Sequence, residues 1–351
     1  MVTQVLRPET LSGPELDRLL AKGWYRMGPS LFTTRTVALE DGVLRSAVWT
    51  RTDLRTFRLR ASHRKALGRL KRRYTITYGP ALIDDQHQDL YSRYLRVAPG
   101  DRRRETLHSV LFSGGESSPF DTREIALWQG DDLAAFSWVD PGDRAVMSVI
   151  GAYDPERAKD SLGFGTLLLE VEQAMQEGRD FHYCGYVLPG APVMDYKLRV
   201  ATELYEPDRE RWRPIEDLAG LQLCVDRMRR RLITAHRTLR KAGFNARFGR
   251  YNSHDVGAWN AHLPDTLDHP MLLDAGRHEG AMVLVAWDLD EQSYQVLRCR
   301  AARFSTTAEE TESLILLLVE DRLSVGLDPE DVVLTLRRMG VVPVDHGFST
   351  P

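Results

Sequence analysis

The sequence predicts an α+β fold, with a central strand–helix–strand unit between a small N-terminal α/β region and a C-terminal extension. Three observations carry that prediction. "IALWQGDDLAAFSWVD" places a polar "QGDD" between β-rich runs, which reads as strand, tight turn, strand. "SLGFGTLLLEVEQAMQEG" repeats Phe164, Leu167, Leu168, Val171, Ala174 and Met175 on one face, the period of an amphipathic helix. "FHYCGYVLPGAPVMDYKLR" follows as a strand whose tyrosines carry polar tips that a plain core strand would not need.

Taken in order, residues 14–22 read as a short helix, and "GWYRMGPSLFTT" is a turn-rich entry in which Trp24, Tyr25 and Phe32 anchor a small sheet. The alternation in "LRSAVWTRTDLRTFRLR" predicts one or two strands. A basic helix over 62–73 buries Ala66, Leu67 and Leu70. Residues 85–98 are helical, with "TLHSVLF" as a continuation, and "RAVMSVIGAYDP" is a further strand. The helix after it is capped by Ser161 or Asp160. Further on, "AMVLVAWDLDEQSYQVLRCRA" reads as a hairpin and "TTAEETESLILLLVEDRLSVGL" as a long amphipathic helix with a threonine cap. The expected division is 1–78, 79–220 and 221–351, in keeping with 351 residues.

Composition narrows the class. With 42% hydrophobic and 28% charged residues the chain should fold throughout. The N-terminus has no apolar leader and the run "LILLLV" is too short to cross a bilayer, so a cytoplasmic location is expected. Cys184, Cys224 and Cys299 are widely spaced and read as reduced core thiols. His254, His262 and His269 fall in a polar loop without metal-site spacing, so no metal is expected. Net charge is only −3, yet residues 51–73 hold ten Lys or Arg against one Asp, and residues 227–241 hold seven with no acid. Two such runs point to a polyanion, because clustered cations neutralise phosphates and release counterions.

Strand, strand, glycine-containing helix and strand is the element order of the acyltransferase fold typified by GCN5-related acetyltransferases (GNAT), in which the helix N-terminus receives an anionic cofactor. Asp160 stands where the coenzyme A signature of that fold wants Arg or Gln, so ordinary acetyl-CoA chemistry is weakened. "GWYRMGPSLF", "FRLRASHRKALGR", "YDPERAKDSLGFGTLLLEVEQA" and "HYCGYVLPGAPVMDYK" together resemble the arginyl-tRNA and leucyl-tRNA protein transferases over about residues 10–210. The usual cysteine cluster after the GW segment is missing, which marks a divergent branch.

The resemblance implies transfer of Arg or Leu from charged tRNA to the α-amine of a protein or peptide with an acidic N-terminus. No cofactor is needed beyond the aminoacyl-tRNA. The acceptor could instead be a small molecule or biosynthetic peptide, or the chain could bind tRNA without catalysis. For the chemistry, backbone amides near Tyr153 and the Tyr186 hydroxyl are the candidate oxyanion donors, with Lys197 and Asp154 beside them. Arg26, Arg58 and His63 are candidates for holding the acceptor carboxylate, and His108, Tyr183, Gly185, Met194 and Tyr196 for lining the pocket. For tRNA the candidates are Arg64, Lys65, Arg69, Lys71, Arg72 and Arg73, with Arg229, Arg230 and Arg231 in the second run. Residues two apart on the tyrosine-rich strand should share a face, so Cys184 and Tyr186 are expected together, opposite Tyr183 and Gly185.

Overall fold

The computed structural model describes residues 2–39, 41–98, 106–112, 115, 117–263, 265–305 and 313–342. The chain begins with a three-stranded sheet of β1 (Thr3–Leu6), β2 (Tyr25–Met27) and β3 (Ser30–Thr34), in the order β1-β3-β2, with helix α1 (Gly13–Ala21) between β1 and β2. A ribbon of β4 (Thr36–Ala38) and β5 (Leu44–Ser46) follows. The "LRSAVWTRTD" alternation thus resolves into β5 and β6 (Val48–Asp53).

An eight-stranded mixed sheet forms the middle of the molecule. Its strands are β6, β7 (Thr75–Pro80), β8 (Arg123–Gln129), β9 (Asp132–Pro141), β10 (Ala145–Tyr153), β11 (Phe181–Val187), β12 (Glu203–Glu206) and β13 (Arg211–Pro214), in the order β13-β12-β6-β11-β10-β9-β8-β7. Alternation along β8 and β9 sorts the two faces. Ile125, Leu127, Ala135 and Val139 meet helices α2 (Ala61–Arg73) and α5 (Leu162–Gln176). Ala126, Phe136 and Trp138 meet α3 (Asp85–Leu95) and α4 (Leu107–Phe112), so "TLHSVLF" is a separate short helix.

Both β10 and β11 are positioned by irregularity. They pair in parallel only from Ala145 to Met147 against Phe181 to Tyr183 and then part. A bulge between Ser148 and Ile150 re-aims β10, and another between Tyr183 and Gly185 re-aims β11. Helix α5 closes the gap from one side, with Leu162, Leu168, Leu169 and Val171 fully buried. Neither expected cap operates on α5. Ser161 takes φ 56° and makes no side-chain capping bond, while the Asp160 carboxylate is held by Arg73 at 2.6 Å and Tyr74 at 2.5 Å.

Beyond residue 220, α6 (Cys224–Lys241) and α8 (Pro329–Met339) pack on a five-stranded antiparallel sheet. Its strands are β14 (Arg247–Arg250), β15 (Met271–His278), β16 (Ala281–Asp288), β17 (Ser293–Ser305) and β18 (Ser313–Gly326), with the short α7 (Val256–Trp259) between the first two. The β16–β17 hairpin is as expected, but the expected helix over "LILLLVEDRLSVGL" is β18. An apolar run has no period that separates strand from helix, and the partner decides. β17 pairs along all of β18, and on the other edge the Leu267 amide donates to the Leu317 carbonyl and the Val319 amide to the Asp265 carbonyl. The threonine cap lies outside the described residues. No helix among the described residues is long and apolar enough to cross a membrane.

Candidate active site

Where β10 and β11 part, a cavity of about 490 Å³ opens against the first turns of α5. Its walls include Tyr153 from β10, Ser161 and Gly163 from the start of α5, Cys184 from β11, and Met194, Tyr196, Lys197 and Arg199 from the 3₁₀ segment Pro192–Arg199. The lysine is placed by its neighbours. Its Nζ donates to the Tyr186 carbonyl at 3.2 Å, and burial lowers its pKa against the opposing pull of Cys184 and Glu170. Desolvation likewise raises the Tyr196 phenol far above the ordinary tyrosine range, although the residue as a whole is 42% exposed at the cavity rim.

Gly185 makes this wall possible. It adopts φ +85°, and a Cβ there would stand 3.1 Å from the Lys197 Nζ and 3.5 Å from the Tyr25 ring. Gly185→Ala is therefore expected to lose about 1–3 kcal/mol of stability, read as a lower urea midpoint, and to displace Lys197. An unchanged midpoint would mean that the backbone relaxes without strain.

The same bulge decides which tyrosines reach the cavity. Cys184 stays on the α5 side, but Tyr186 turns to the opposite face and packs edge-on against Trp49 with centroids 5.1 Å apart. Tyr183 shares that face, its ring edge-on to Trp212 at 5.5 Å and its hydroxyl accepting from Arg51 at 3.1 Å. The expected alternation, with Cys184 and Tyr186 together, is corrected because one extra residue in a strand reverses the side-chain sense beyond it. Neither tyrosine ring lines the cavity, although the Tyr186 carbonyl anchors Lys197.

Several other candidates are engaged elsewhere. Asp154 caps the 3₁₀ turn Pro155–Asp160 through the Glu156 amide and holds Arg93 at 2.8 Å and Arg157 at 3.1 Å, which makes it a structural carboxylate. Arg26 is sealed in the core. Its guanidinium meets Asp140 at 2.9 Å and also donates to Thr122, Ser118 and the carbonyls of Gly28 and Leu111, so it has no reach to an acceptor carboxylate. Arg26→Leu would leave Asp140 buried and unpaired, and is expected to cost about 3–5 kcal/mol in urea unfolding. A loss below 1 kcal/mol, in the range of exposed pairs, would contradict that burial.

Arg58 is exposed and donates to the carbonyls of Arg55 and Phe57. His63 is buried between Phe57 and Phe164, next to the cavity but outside its lining, and burial lowers its pKa with help from Arg60 and Arg199. His108 is exposed against Phe112, neither in the core nor in the cavity. Gly163 faces Tyr153 at the cavity, whereas Gly165 is packing: a Cβ there would meet Leu70 of α2 at 2.4 Å.

Of the basic runs, α2 presents Arg64, Lys65, Arg69, Lys71, Arg72 and Arg73 to solvent. Arg69 also borders a small recess that shares Ser161, Phe164 and Arg199 with the main cavity. Helix α6 exposes Arg229, Arg230 and Arg231 on the C-terminal sheet, where Arg231 lies over Trp287, and contributes no residue to the cavity. Among the described residues no group of His, Cys, Asp or Glu is assembled as a metal site. His254 bonds the Tyr251 carbonyl and His269 pairs with Asp268.

Sequence reasoning missed Arg199, whose guanidinium lies 3.6 Å over Phe164, and it missed Glu170. The signal for Glu170 was present, since it occupies the helical stripe of Leu167, Val171 and Ala174 and so puts a carboxylate at a buried position.

The architecture defines a mixed α+β protein with a polar cavity between diverging strands and a helix N-terminus. Residues 86–205 match the family model for the C terminus of arginine-tRNA-protein transferase, a span that includes every residue lining the cavity. It is similar to an aspartate/glutamate leucyltransferase of Ruegeria pomeroyi, 32% identical over 174 residues, 48% of this chain and 62% of that protein. A second protein of that name, from Acinetobacter baumannii, is 28% identical over 197 residues, 54% of this chain and 68% of its own. A third, from Leptospira interrogans, is 25% identical over 217 residues, 60% of this chain and 82% of its own. The chain thus spans less than two thirds of the Ruegeria relative. Solved structures are more distant. L-PGS from Bacillus licheniformis has a TM-score of 0.30 at 16% identity, covering 49% of this chain and 50% of that one. A GCN5-related glucosamine N-acetyltransferase region of a fungal multi-domain GH3 β-N-acetylglucosaminidase has a TM-score of 0.30 at 14% identity, covering 56% and 22%. Likeness at that level defines no common fold.

Proposed function

We propose that the chain transfers an aminoacyl group, leucine or arginine, from charged tRNA to the N-terminal α-amine of a protein or peptide. The observation that carries this reading is the cavity itself, with Tyr153, Met194, Tyr196 and Lys197 at the parting of β10 and β11, wholly inside the family-matched span. An aminoacyl ester is already activated, so the site's task is to align an amine with a carbonyl, and a confined polar cleft does this by removing translational and rotational freedom. Lys197 supplies a donor to the ester end, and the N-terminal end of α5 favours the negative charge of the tRNA terminus.

The core is read as GNAT-like, with residues 1–78 and 79–220 joined through the shared sheet and 221–351 as a supporting unit. The relatives' names favour leucine as donor and Asp or Glu as the acceptor's first residue. With Arg26 committed to Asp140, Arg199 is the guanidinium that lines this cavity, where it suits the phosphate of the tRNA terminus. Incubation with labelled Leu-tRNA and Arg-tRNA in turn, using peptides beginning with Asp, Glu, Lys or Ala, tests the reading. Transfer of leucine to the acidic peptides is expected, and absence of transfer from both donors to all four would overturn it.

A further inference from the structure

Two cavities are lined by the same acidic residue. Besides the cleft at the parted strands, a larger one of about 790 Å³ runs from the start of α1 past the ends of β7–β9 to the later turns of α5. Glu170 lines both, and among the described residues it is the one that does. Its carboxylate is buried, 3% exposed, and firmly held. One oxygen accepts from the Ser137 hydroxyl and from the Ser148 hydroxyl at 3.4 Å, and the other meets His182 Nε2 at 2.8 Å. A carboxylate offers about four acceptor positions, so these three donors leave room for one more.

The partner of Glu170 on its second oxygen is a buried histidine. Burial works against charge on His182, yet its interactions with Cys184 and Glu170 outweigh this and push the imidazole up to about 9. That imidazole engages one Glu170 oxygen, and the other oxygen faces the two serine hydroxyls. The ammonium group of an incoming peptide is the cation such a site can still accommodate.

We propose that Glu170 is a catalytic residue that meets the acceptor's α-ammonium and takes its proton, the acceptor lying in the larger cavity and the donor's ester end in the smaller. The inference rests on the transfer reading above. In the step, one proton passes from the ammonium to the Glu170 carboxylate, and the freed nitrogen lone pair bonds to the ester carbonyl carbon. The carbon–oxygen bond to the ribose then breaks with its electron pair on oxygen. That oxygen takes the second proton that nitrogen loses on becoming an amide, and the proton on Glu170 is released to solvent. Nothing is oxidised or reduced.

The test compares full-length Glu170→Gln with the parent on two acceptors: an acidic peptide with its ordinary α-amine, and the same peptide ending in a hydrazide nitrogen that is neutral at assay pH. Glu170→Gln should lose on the order of a hundredfold in kcat/KM with the amine and stay near the parental rate with the hydrazide, at unchanged affinity for aminoacyl-tRNA. Equal losses with both acceptors would reduce Glu170 to a structural group and overturn the proposal, as would a parental rate with the amine. If Glu170→Gln does not fold, Glu170→Asp keeps the charge beside His182 while withdrawing it from the acceptor. A parental amine-to-hydrazide ratio in that variant overturns the proposal too. Failure of the parent with both acceptors refutes the transfer reading itself and is distinguishable from all of these.

Discussion

Lys197→Ala is expected to reduce aminoacyl transfer by on the order of a hundredfold while leaving the melting temperature close to that of the parent. The Nζ gives one hydrogen bond, to the Tyr186 carbonyl, so its loss removes about 1 kcal/mol of net interaction at most. Lys197 also lines the cavity, where a donor brought to developing charge is worth far more than in water. Since burial lowers its pKa, the ammonium form is lost at lower pH than for an ordinary lysine. Activity that depends on that form should fall as pH rises through the lowered pKa, and this alkaline limb should be missing from the pH profile of Lys197→Ala. A profile identical in both proteins, or a variant with parental turnover, would return Lys197 to the role of a wall residue. Tyr186→Phe is the useful contrast. With its ring on the Trp49 face, loss of the hydroxyl should leave transfer nearly unchanged.

Simultaneous reversal of Arg69, Lys71, Arg72 and Arg73 to glutamate should weaken tRNA binding by several orders of magnitude at low salt. For every phosphate that is no longer neutralised, the slope of log affinity against log salt should become shallower by about 0.7–0.9. Folding should survive. In the pairs that the change breaks, Lys71 with Glu172 and Arg73 with Asp160, the cations are about half exposed, at 45% and 51%, and the carboxylates 17% and 12%, so each pair contributes about 1 kcal/mol. Parental affinity in filter binding, with circular dichroism confirming the fold, would make this face of α2 an ordinary solvated one. The equivalent reversal of Arg229, Arg230 and Arg231 should have the smaller effect, because α6 adds nothing to the cavity wall.

Much of the site was legible without coordinates, for a local reason. The periods of β8, β9 and α5 depend on neighbouring residues alone. Met194, Tyr196 and Lys197 were marked by a concentration of polar-tipped and charged side chains that a core segment would not need. They all line the cavity. What the sequence could not convey were features that depend on distant partners. Arg26 read as a candidate for the acceptor carboxylate because nothing nearby in sequence announces Asp140, 114 residues away, yet the buried pair takes it out of reach of a ligand. The run at Leu314 to Val319 became strand because β17 offered a full ladder of backbone partners, and those hydrogen bonds outweigh a helical preference.

By itself, then, the sequence determined the α+β class, the helix and hairpin at the centre, the cationic face of α2 and the segment that walls the cavity. Only the tertiary structure decided which side chains enter that cavity. A single bulge with Gly185 at φ +85° sends Tyr186 away and brings Lys197 against the strand, and burial of α5 carries Glu170 into the lining of two cavities. Register and burial arise from pairing between segments far apart in the chain, and no local period encodes them.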